Sequence, residues 1–347
     1  MNVSSLKAAA PNAPAPLALL KHPLAKPLLA LFALLLLDLV FIPGFFRLEV
    51  RDGHLYGPLI DIVNRAAPLM LAALGMTLVI ATRGIDISVG AVVALSGTMA
   101  CMLVGGTMVV NNGVPEYVAN TPMPLALAAA MGAALLCGAW NGVLVAGLKL
   151  QPIVATLILM VAGRGLAQLL TDGQIVTVYY QPFFFLGSGY LLGIPFALWV
   201  VAAVLLVVGM LLKKTALGLF IQSVGINPIA SRLAGIRTAT LIFFVYVFCS
   251  ACAGLAGLMI SSNIKSADAN NAGLLLELDA ILAVTLGGTS LAGGKFSLAG
   301  SMIGALIIQT LTYTIYSLGV PPEVNMVVKA IVVFAVCLSQ SAVKIRR

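Results

Sequence analysis

The chain is poor in charge. Only 9% of its 347 residues are Asp, Glu, Lys or Arg, whereas 61% are hydrophobic. A soluble domain carries roughly 25% charged residues, so this scarcity excludes a soluble globular fold. The net charge of +8 does not indicate nucleic-acid binding, because the cations stand in short runs between apolar segments. Such runs are typical of the signals that orient membrane proteins.

Residues that build metal sites and disulfides are also scarce. The only histidines are His22 and His54, and neither has the carboxylate or cysteine neighbours of a metal site. All five cysteines lie in apolar segments without metal-ligand spacing, so we interpret them as small core residues. His-Glu-x-x-His and Gly-x-Ser-x-Gly motifs are absent. The sequence therefore predicts no catalytic residue and no metal ligand.

A phosphate-binding loop is absent as well. Gly294 and Lys295 resemble part of one, but that motif needs a glycine where the chain has Thr289 and a Ser or Thr where it has Phe296. We therefore expect no cofactor. If ATP drives this protein, a partner subunit binds it.

Ten apolar runs predict an all-α polytopic membrane protein, with some helices broken or short. A spanning helix needs about 20 residues. The runs are 25–45, 61–82, 88–110, 124–148, 152–171, 194–212, 239–262, 274–292, 297–318 and 324–343. The weakest are 88–110, which follows a glycine-rich bend, and 274–292, which contains acids.

Positive charge predicts the orientation of these spans. With the N-terminus inside, the cytoplasmic segments hold thirteen of the 19 Lys and Arg residues and the outer segments hold three. This split predicts that the N- and C-termini are both cytoplasmic. The Ala- and Pro-rich residues 1–22 are expected to form a disordered cytoplasmic tail, and 23–347 a single transmembrane domain.

The loop 213–238 is basic and carries no acid, unlike the apolar segments around it. It predicts a short helix with its terminal signals in place. Asn227 suits the N-cap, Pro228 the first helical position and Gly235 the position after the C-cap. A membrane protein with such a helix on its cytoplasmic side offers a docking element to a soluble partner.

Polar side chains within the predicted spans are expensive in lipid, so we expect them to face protein or water. Carboxylates and amides suit sugar hydroxyls, which both donate and accept hydrogen bonds. The candidate substrate-pathway residues are Glu277, Asp279, Arg164 and Gln168 within the spans, with Asn270 and Asn271 just before the span 274–292. The alternative for the two acids is structural pairing, for example with Lys329 or Arg164.

Four sequence blocks carry a family resemblance: 64–97, 150–173, 223–236 and 266–296. Together they resemble the ribose-type inner-membrane permeases of bacterial ABC importers. The likeness runs from about residue 25 to 343. The second and fourth blocks, with AGRGLAQLLTDGQIV and SADANNAGLLLELDAI, are similar to the galactofuranose branch of that family.

The resemblance implies that the chain lies in the bacterial inner membrane and has a set of partners there and on both sides of it. These are a cytoplasmic ATPase, a periplasmic sugar-binding protein, a second permease subunit that forms a heterodimer, and membrane lipid. It implies that 223–236 is the loop that docks on the ATPase. The coupling residues it implies are Gly225, Asn227, Ile229, Arg232, Leu233 and Gly235. The acidic start of the coupling motif of other importers is replaced by Gln222 and Ser223.

A second function is compatible with the sequence, namely a stand-alone secondary sugar transporter or channel. A proton-coupled carrier needs a membrane carboxylate that titrates, and Glu277 or Asp279 is a candidate. The capped basic loop has no role in that case. A purely structural scaffold is disfavoured by the polar groups within the spans.

Overall fold

A computed structural model describes residues 24–51, 53–111, 114–321, 324, 326–331 and 334. The predicted tail 1–22 and most of the predicted span 324–343 lie outside the described residues. The helices are α1 Ala25–Phe41, α2 Pro58–Ala81, α3 Val89–Val104, α4 Met123–Gly142, α5 Pro152–Leu170, α6 Phe185–Ser188, α7 Phe196–Lys214, α8 Leu217–Ile226, α9 Pro228–Leu233, α10 Thr238–Ile264, α11 Leu276–Leu286 and α12 Leu298–Ser317. A π-helical turn, Val143–Gly147, extends α4.

The core is built around α2. Most of α2 is apolar. Of the 18 consecutive residues that are its most hydrophobic stretch, 78% are buried, against 17% for the same stretch of α7. Helices α10, α11 and α12 pack against α2, and α10 also contacts α3 and α4. We therefore place α2 at the centre of the bundle and α7 at its periphery, where an apolar surface faces lipid.

Small residues let these helices approach closely. Gly257 of α10 lies against the backbone of Val93 in α3, and Gly304 of α12 lies against Ala283 in α11. A Cβ atom at either glycine would overlap the facing carbonyl oxygen. Close helix approach through small residues is the packing mode expected in lipid.

Six described helices are long and apolar enough to cross a membrane: α2, α4 with its π-helical extension, α5, α7, α10 and α12. The part of the chain that the structure describes is thus mostly helical, as the apolar runs predict. The count of ten spans and the orientation of the termini stay predictions.

Two predicted spans are shorter than expected. The run 88–110 forms a helix only to Val104, because Gly105 and Gly106 follow with positive φ and turn the chain into a strand. The run 274–292 forms only α11, which is 11 residues long and is followed by a glycine-rich loop with positive φ at Gly288. Both elements are short helices within the bundle.

Short strands connect the helices on the predicted outer side. Strands β1 (Glu49–Arg51) and β2 (His54–Tyr56), β3 (Thr107–Asn111) and β4 (Val114–Val118), and β6 (Tyr190–Leu191) and β7 (Ile194–Pro195) form antiparallel hairpins. Strand β5 (Val176–Thr177) pairs instead with β8 (Ser266–Ala267). Because Val176 lies opposite Ala267, the segment after α5 is held beside the segment after α10.

Candidate functional site

The β5–β8 pairing brings α5 close to the loop 268–275. One guanidinium nitrogen of Arg164 donates hydrogen bonds to the carbonyls of Ala269 (3.1 Å) and Ala272 (2.6 Å). One turn further along α5, Gln168 Nε2 donates to Asn270 Oδ1 at 2.7 Å. Long side chains of α5 therefore hold the asparagine-containing loop in place.

Asp268 organises this loop from within. Its Oδ1 accepts hydrogen bonds from the backbone N–H groups of Asn270 (3.0 Å) and Asn271 (3.2 Å), and its Oδ2 accepts from Asn271 Nδ2 at 2.7 Å. The Asn271 amide, aided by these backbone bonds and the Arg164 charge, holds the pKa of Asp268 below its usual range. The carboxylate therefore stays ionised, and the loop presents exposed amides of Asn270 and Asn271.

Glu277 lies in the first turn of α11, where the helix dipole favours a negative charge. Its side chain is buried against Gly90 of α3, and a Cβ atom at Gly90 would overlap the carboxylate. The charge of Arg164 acts on Glu277 as well as on Asp268. Glu277 Oε2 has no hydrogen-bond partner among the described residues. A buried acceptor without a geometric partner needs an explanation, and contact with a ligand hydroxyl is one that can be tested.

Asp279 has a different environment. Its Oδ2 forms an ion pair with Lys329 Nζ at 2.7 Å, and both side chains are largely buried. This is one of the structural pairings that the sequence left open. The structure therefore brings together five groups, namely Arg164, Gln168, Asn270, Asn271 and Glu277, whereas the carboxylate of Asp279 is committed to Lys329.

The second candidate site is the short helix α9. Asn227 Oδ1 accepts hydrogen bonds from the backbone N–H groups of Ile229 (3.1 Å) and Ala230 (3.0 Å), and Pro228 is the first helical residue. The helix ends at Leu233, and Gly235 follows with φ of +87°. The N–H of Ile236 then bonds the carbonyl of Ser231. This is a Schellman motif, and the predicted caps are observed at both ends.

Helix α9 exposes apolar side chains. Ile229 is 75% exposed and Leu233 is 85% exposed, and they lie one turn apart. Arg232 is exposed beside them, and Ser231 is buried on the opposite side. A helix of six residues gains little stability by itself, so its caps and the layer beneath it hold it in place. Its outward face is suited to a groove on another protein.

The base of α9 is fastened to the bundle. Gly225 is buried, and a Cβ atom there would overlap Ala81 at the end of α2. Gly225, one of the predicted coupling residues, therefore packs beneath α9 and is not part of its exposed face. Arg83, with φ of +67°, donates one hydrogen bond to the carbonyl of Ile226 and another to that of Ala292 at 3.1 Å. Arg83 therefore joins three segments on the predicted cytoplasmic side.

From the sequence, Asp86 beside Arg83 is interpreted as the cap of a cytoplasmic helix start, but the contacts of Arg83 and the buried polar cluster around Asp86 were not predicted. Asp86 accepts hydrogen bonds from the backbone N–H and the hydroxyl of Ser88, and Asn141 reaches the same carboxylate oxygen at 3.4 Å. Asp86 therefore organises the start of α3, as its position before a helix suggests, but from a fully buried site. An isolated cation one residue beyond a long apolar helix is the signal that points to Arg83.

Comparisons with known proteins agree with this architecture. A family model described as the branched-chain amino acid transport system / permease component matches residues 59–337. The galactofuranose transporter permease protein YtfT of Escherichia coli (strain K12) is 50% identical over 315 residues, which are 90% of this chain and 88% of that protein. No solved structure matches the chain.

Other relatives are named as sugar permeases. The fructose import permease protein FruF of Bifidobacterium longum (strain NCC 2705) is 39% identical over 93% of this chain and 89% of that protein. The ribose import permease protein RbsC of Escherichia coli (strain K12) is 37% identical over 90% of this chain and 92% of that protein. The chain therefore belongs to this family of permease components and is a multi-pass protein of the bacterial inner membrane.

Proposed function

We propose that this chain is the permease subunit of an ATP-driven bacterial importer that passes a monosaccharide across the inner membrane. The proposed monosaccharide is galactofuranose. The observation that carries the proposal is α9, a capped helix with Ile229 and Leu233 exposed. Two exposed apolar side chains one turn apart on a fastened helix are suited to a groove on a partner protein. The galactofuranose, fructose and ribose permeases among its relatives support the substrate class.

The partner set of the proposal has four members. A cytoplasmic ATPase binds α9 and supplies all nucleotide chemistry, so the chain itself holds no cofactor and no catalytic residue. A periplasmic sugar-binding protein delivers the sugar on the other side. A second, different permease subunit completes a heterodimer, and the sugar passes along their interface. Membrane lipid surrounds the assembly.

The proposed pathway wall is the cluster around Arg164. Sugar hydroxyls lose water as they cross the membrane, and they need donors and acceptors in exchange. Asn270 and Asn271 supply exposed amides, and Glu277 supplies a buried carboxylate. Gln168 and Arg164 hold the loop that carries the amides. Asp279 contributes through its ion pair, which fixes the base of the wall.

The coupling step is tested with one substitution on α9. Leu233→Asp places a charge in the apolar contact and is expected to weaken ATPase binding at least tenfold, since burying an unpaired charge is costly. The matched control is Leu192→Asp, because Leu192 is also a highly exposed leucine, at 83%, but lies between β6 and β7 on the predicted outer side. Affinity is measured on purified subunits, and uptake in cells. Full transport by Leu233→Asp with the ATPase bound as before would overturn the proposal.

The proposed topology has ten spans with both termini cytoplasmic. Single cysteines at Leu192 and Lys149 test it, because both positions are exposed in loops predicted to face opposite sides. The four described native cysteines are buried and should not compete for an aqueous label. We expect an impermeant thiol reagent added outside intact cells to label position 192 only. Labelling of both positions from outside contradicts the topology.

A stand-alone transporter is the competing function, and the buried, partly unpaired Glu277 is the observation in its favour. Two features count against it. Asp279 is already paired with Lys329, and α9 has no role without a partner. Uptake that persists after removal of the partner ATPase would favour this alternative.

A further inference from the structure

A groove runs along α7. It has a volume of about 950 Å³ and is bounded by α7, α8 and the first residues of α12. Its walls along α7 extend from Ala202 to Lys214, which is about 18 Å of helix at roughly 1.5 Å per residue. One leaflet of a bilayer has about 15 Å of hydrocarbon, half of a core of about 30 Å. The groove is therefore as long as one leaflet is thick.

The two ends of the groove differ in chemistry. Leucine, alanine and methionine side chains line its length, including the exposed Leu206 and Met210. Lys213 and Lys214 stand at the end that meets water, at the last turn of α7. Neither lysine takes part in an ion pair with another described residue. An apolar trough that ends in two unpaired cations matches an acyl chain attached to an anionic head.

The surrounding sequence strengthens the positive field at that end. The chain has no Asp or Glu between residues 173 and 267, and none between 280 and 322. All three helices that bound the groove lie within these stretches. Ser297, the N-cap of α12, and the first helical residues Leu298 and Ala299 also line the groove, and the N-terminus of a long helix attracts anions. Gln222 adds a polar side chain to the lining of the groove.

We propose that this groove is a binding site for an anionic phospholipid. The acyl chain lies along α7 between Ala202 and Met210, and the phosphate lies between the two lysines and the start of α12. Because α8 and α9 follow α7 directly, a bound lipid supports the platform from which the coupling helix projects. The site requires neither sugar nor ATP, so its test is independent of the proposed function.

The experiment is a lipid titration of the purified full-length chain in detergent, with bound lipids counted by native mass spectrometry. The probes are phosphatidylglycerol and phosphatidylcholine with identical acyl chains, so that only the headgroup differs. Each lysine is expected to contribute about fivefold in affinity. Lys213→Gln and Lys214→Gln should therefore each weaken phosphatidylglycerol binding about fivefold, and the double variant should lose the preference over phosphatidylcholine. Lys149→Gln is the control, because Lys149 is an exposed lysine outside the groove.

A second pair of variants tests the apolar part. Gly209 lines the groove, and nothing lies within 4 Å of the Cβ position there. Gly209→Leu should fill the groove without disturbing the fold and should weaken both lipids at least tenfold. Gly132→Leu is the matched control, since Gly132 in α4 has equally open surroundings. Melting temperatures confirm folding, and if Gly209→Leu fails to fold, the lysine series decides by itself.

Three results overturn the proposal. Equal affinity for the two lipids in the wild type excludes an anionic headgroup. A preference that survives in the double lysine variant shows that the headgroup does not bind at Lys213 and Lys214. Loss of ATPase or of second-permease binding in Gly209→Leu, with lipid binding unchanged, would assign the groove to a protein partner instead.

Discussion

Lys329 Nζ lies 2.7 Å from Asp279 Oδ2, and this ion pair joins α11 to the helical residues 326–331. The two residues are 50 positions apart, and both side chains are largely buried. The pair therefore ties the last described part of the chain to the base of the candidate pathway wall. It also distinguishes the two acids of α11, because Asp279 is paired with Lys329 and Glu277 is not.

Breaking this pair should destabilise the protein. Asp279→Asn leaves Lys329 charged and unpaired, at an expected cost of about 3 kcal/mol in the free energy of unfolding. The double variant Asp279→Asn/Lys329→Met removes both charges and should recover most of the loss. Thermal unfolding of the purified variants provides the measurement. Equal stability of the single variant and wild type would show that the pair has no structural role.

Glu277 should matter for transport rather than for folding. Glu277→Gln keeps the shape of the side chain but removes the charge that faces Arg164, so we expect about tenfold slower uptake with the assembly intact, as for the loss of one charge-assisted hydrogen bond. Asp61→Asn is the control, since Asp61 is an exposed carboxylate paired with Arg65. Uptake of labelled sugar and copurification of the ATPase are measured together. A variant that fails to assemble would instead assign Glu277 a structural role.

Gly235 offers a test of backbone conformation alone. Its φ is +87°, and nothing lies within 4 Å of the position that a Cβ atom would occupy, so a substitution acts through the backbone and not through a clash. Asn tolerates the left-handed region and Val resists it. Gly235→Val should therefore weaken ATPase binding several-fold, and Gly235→Asn should bind almost as wild type does. If both variants bind the ATPase equally well, the left-handed conformation at Gly235 is not needed for coupling.

The loop 268–275 should be insensitive to pH over the physiological range. Because the folded pKa of Asp268 is depressed, its charged form stabilises the loop above the unfolded-state pKa, and this contribution is lost only as the pH falls through the folded value. A spin label at Leu274→Cys, an exposed position, should stay ordered from pH 8 to about pH 5 and loosen below about pH 4. Asp268→Asn should remove this response. Loosening between pH 7 and 6 would contradict the assignment.

The caps of α9 could be predicted because their determinants are local. Asn227, Pro228 and Gly235 act on backbone groups within a few residues, so their spacing alone specifies the helix. The end of α3 could not be placed in the same way. Residues 107–110 are mostly apolar and continue the hydrophobic run, but they form a strand after the two glycines. Hydropathy describes how strongly a side chain prefers an apolar medium, so it does not distinguish a helix from a strand.

The composition of the candidate pathway was partly predictable, but its geometry was not. Asn270, Asn271 and Glu277 stand out as polar residues in an apolar context. The contacts of Arg164 with two backbone carbonyls more than 100 residues away depend on the β5–β8 pairing, which involves only two residues on each side. No local pattern specifies such a pairing. The partner of Asp279 was one of two cations considered, and charge alone could not choose between them.

The contacts of Arg83 determine how a force on α9 would travel. Arg83 follows α2 after a single intervening residue, and it holds the carbonyl of Ile226, which immediately precedes the N-cap of α9. A displacement of α9 therefore reaches the most buried helix of the bundle through one hydrogen bond and a few covalent bonds. The same side chain holds Ala292 in the loop before α12. A movement of α9 driven by nucleotide binding would thus be transmitted to α2 at the centre of the bundle, rather than being absorbed by bending of the peripheral helices.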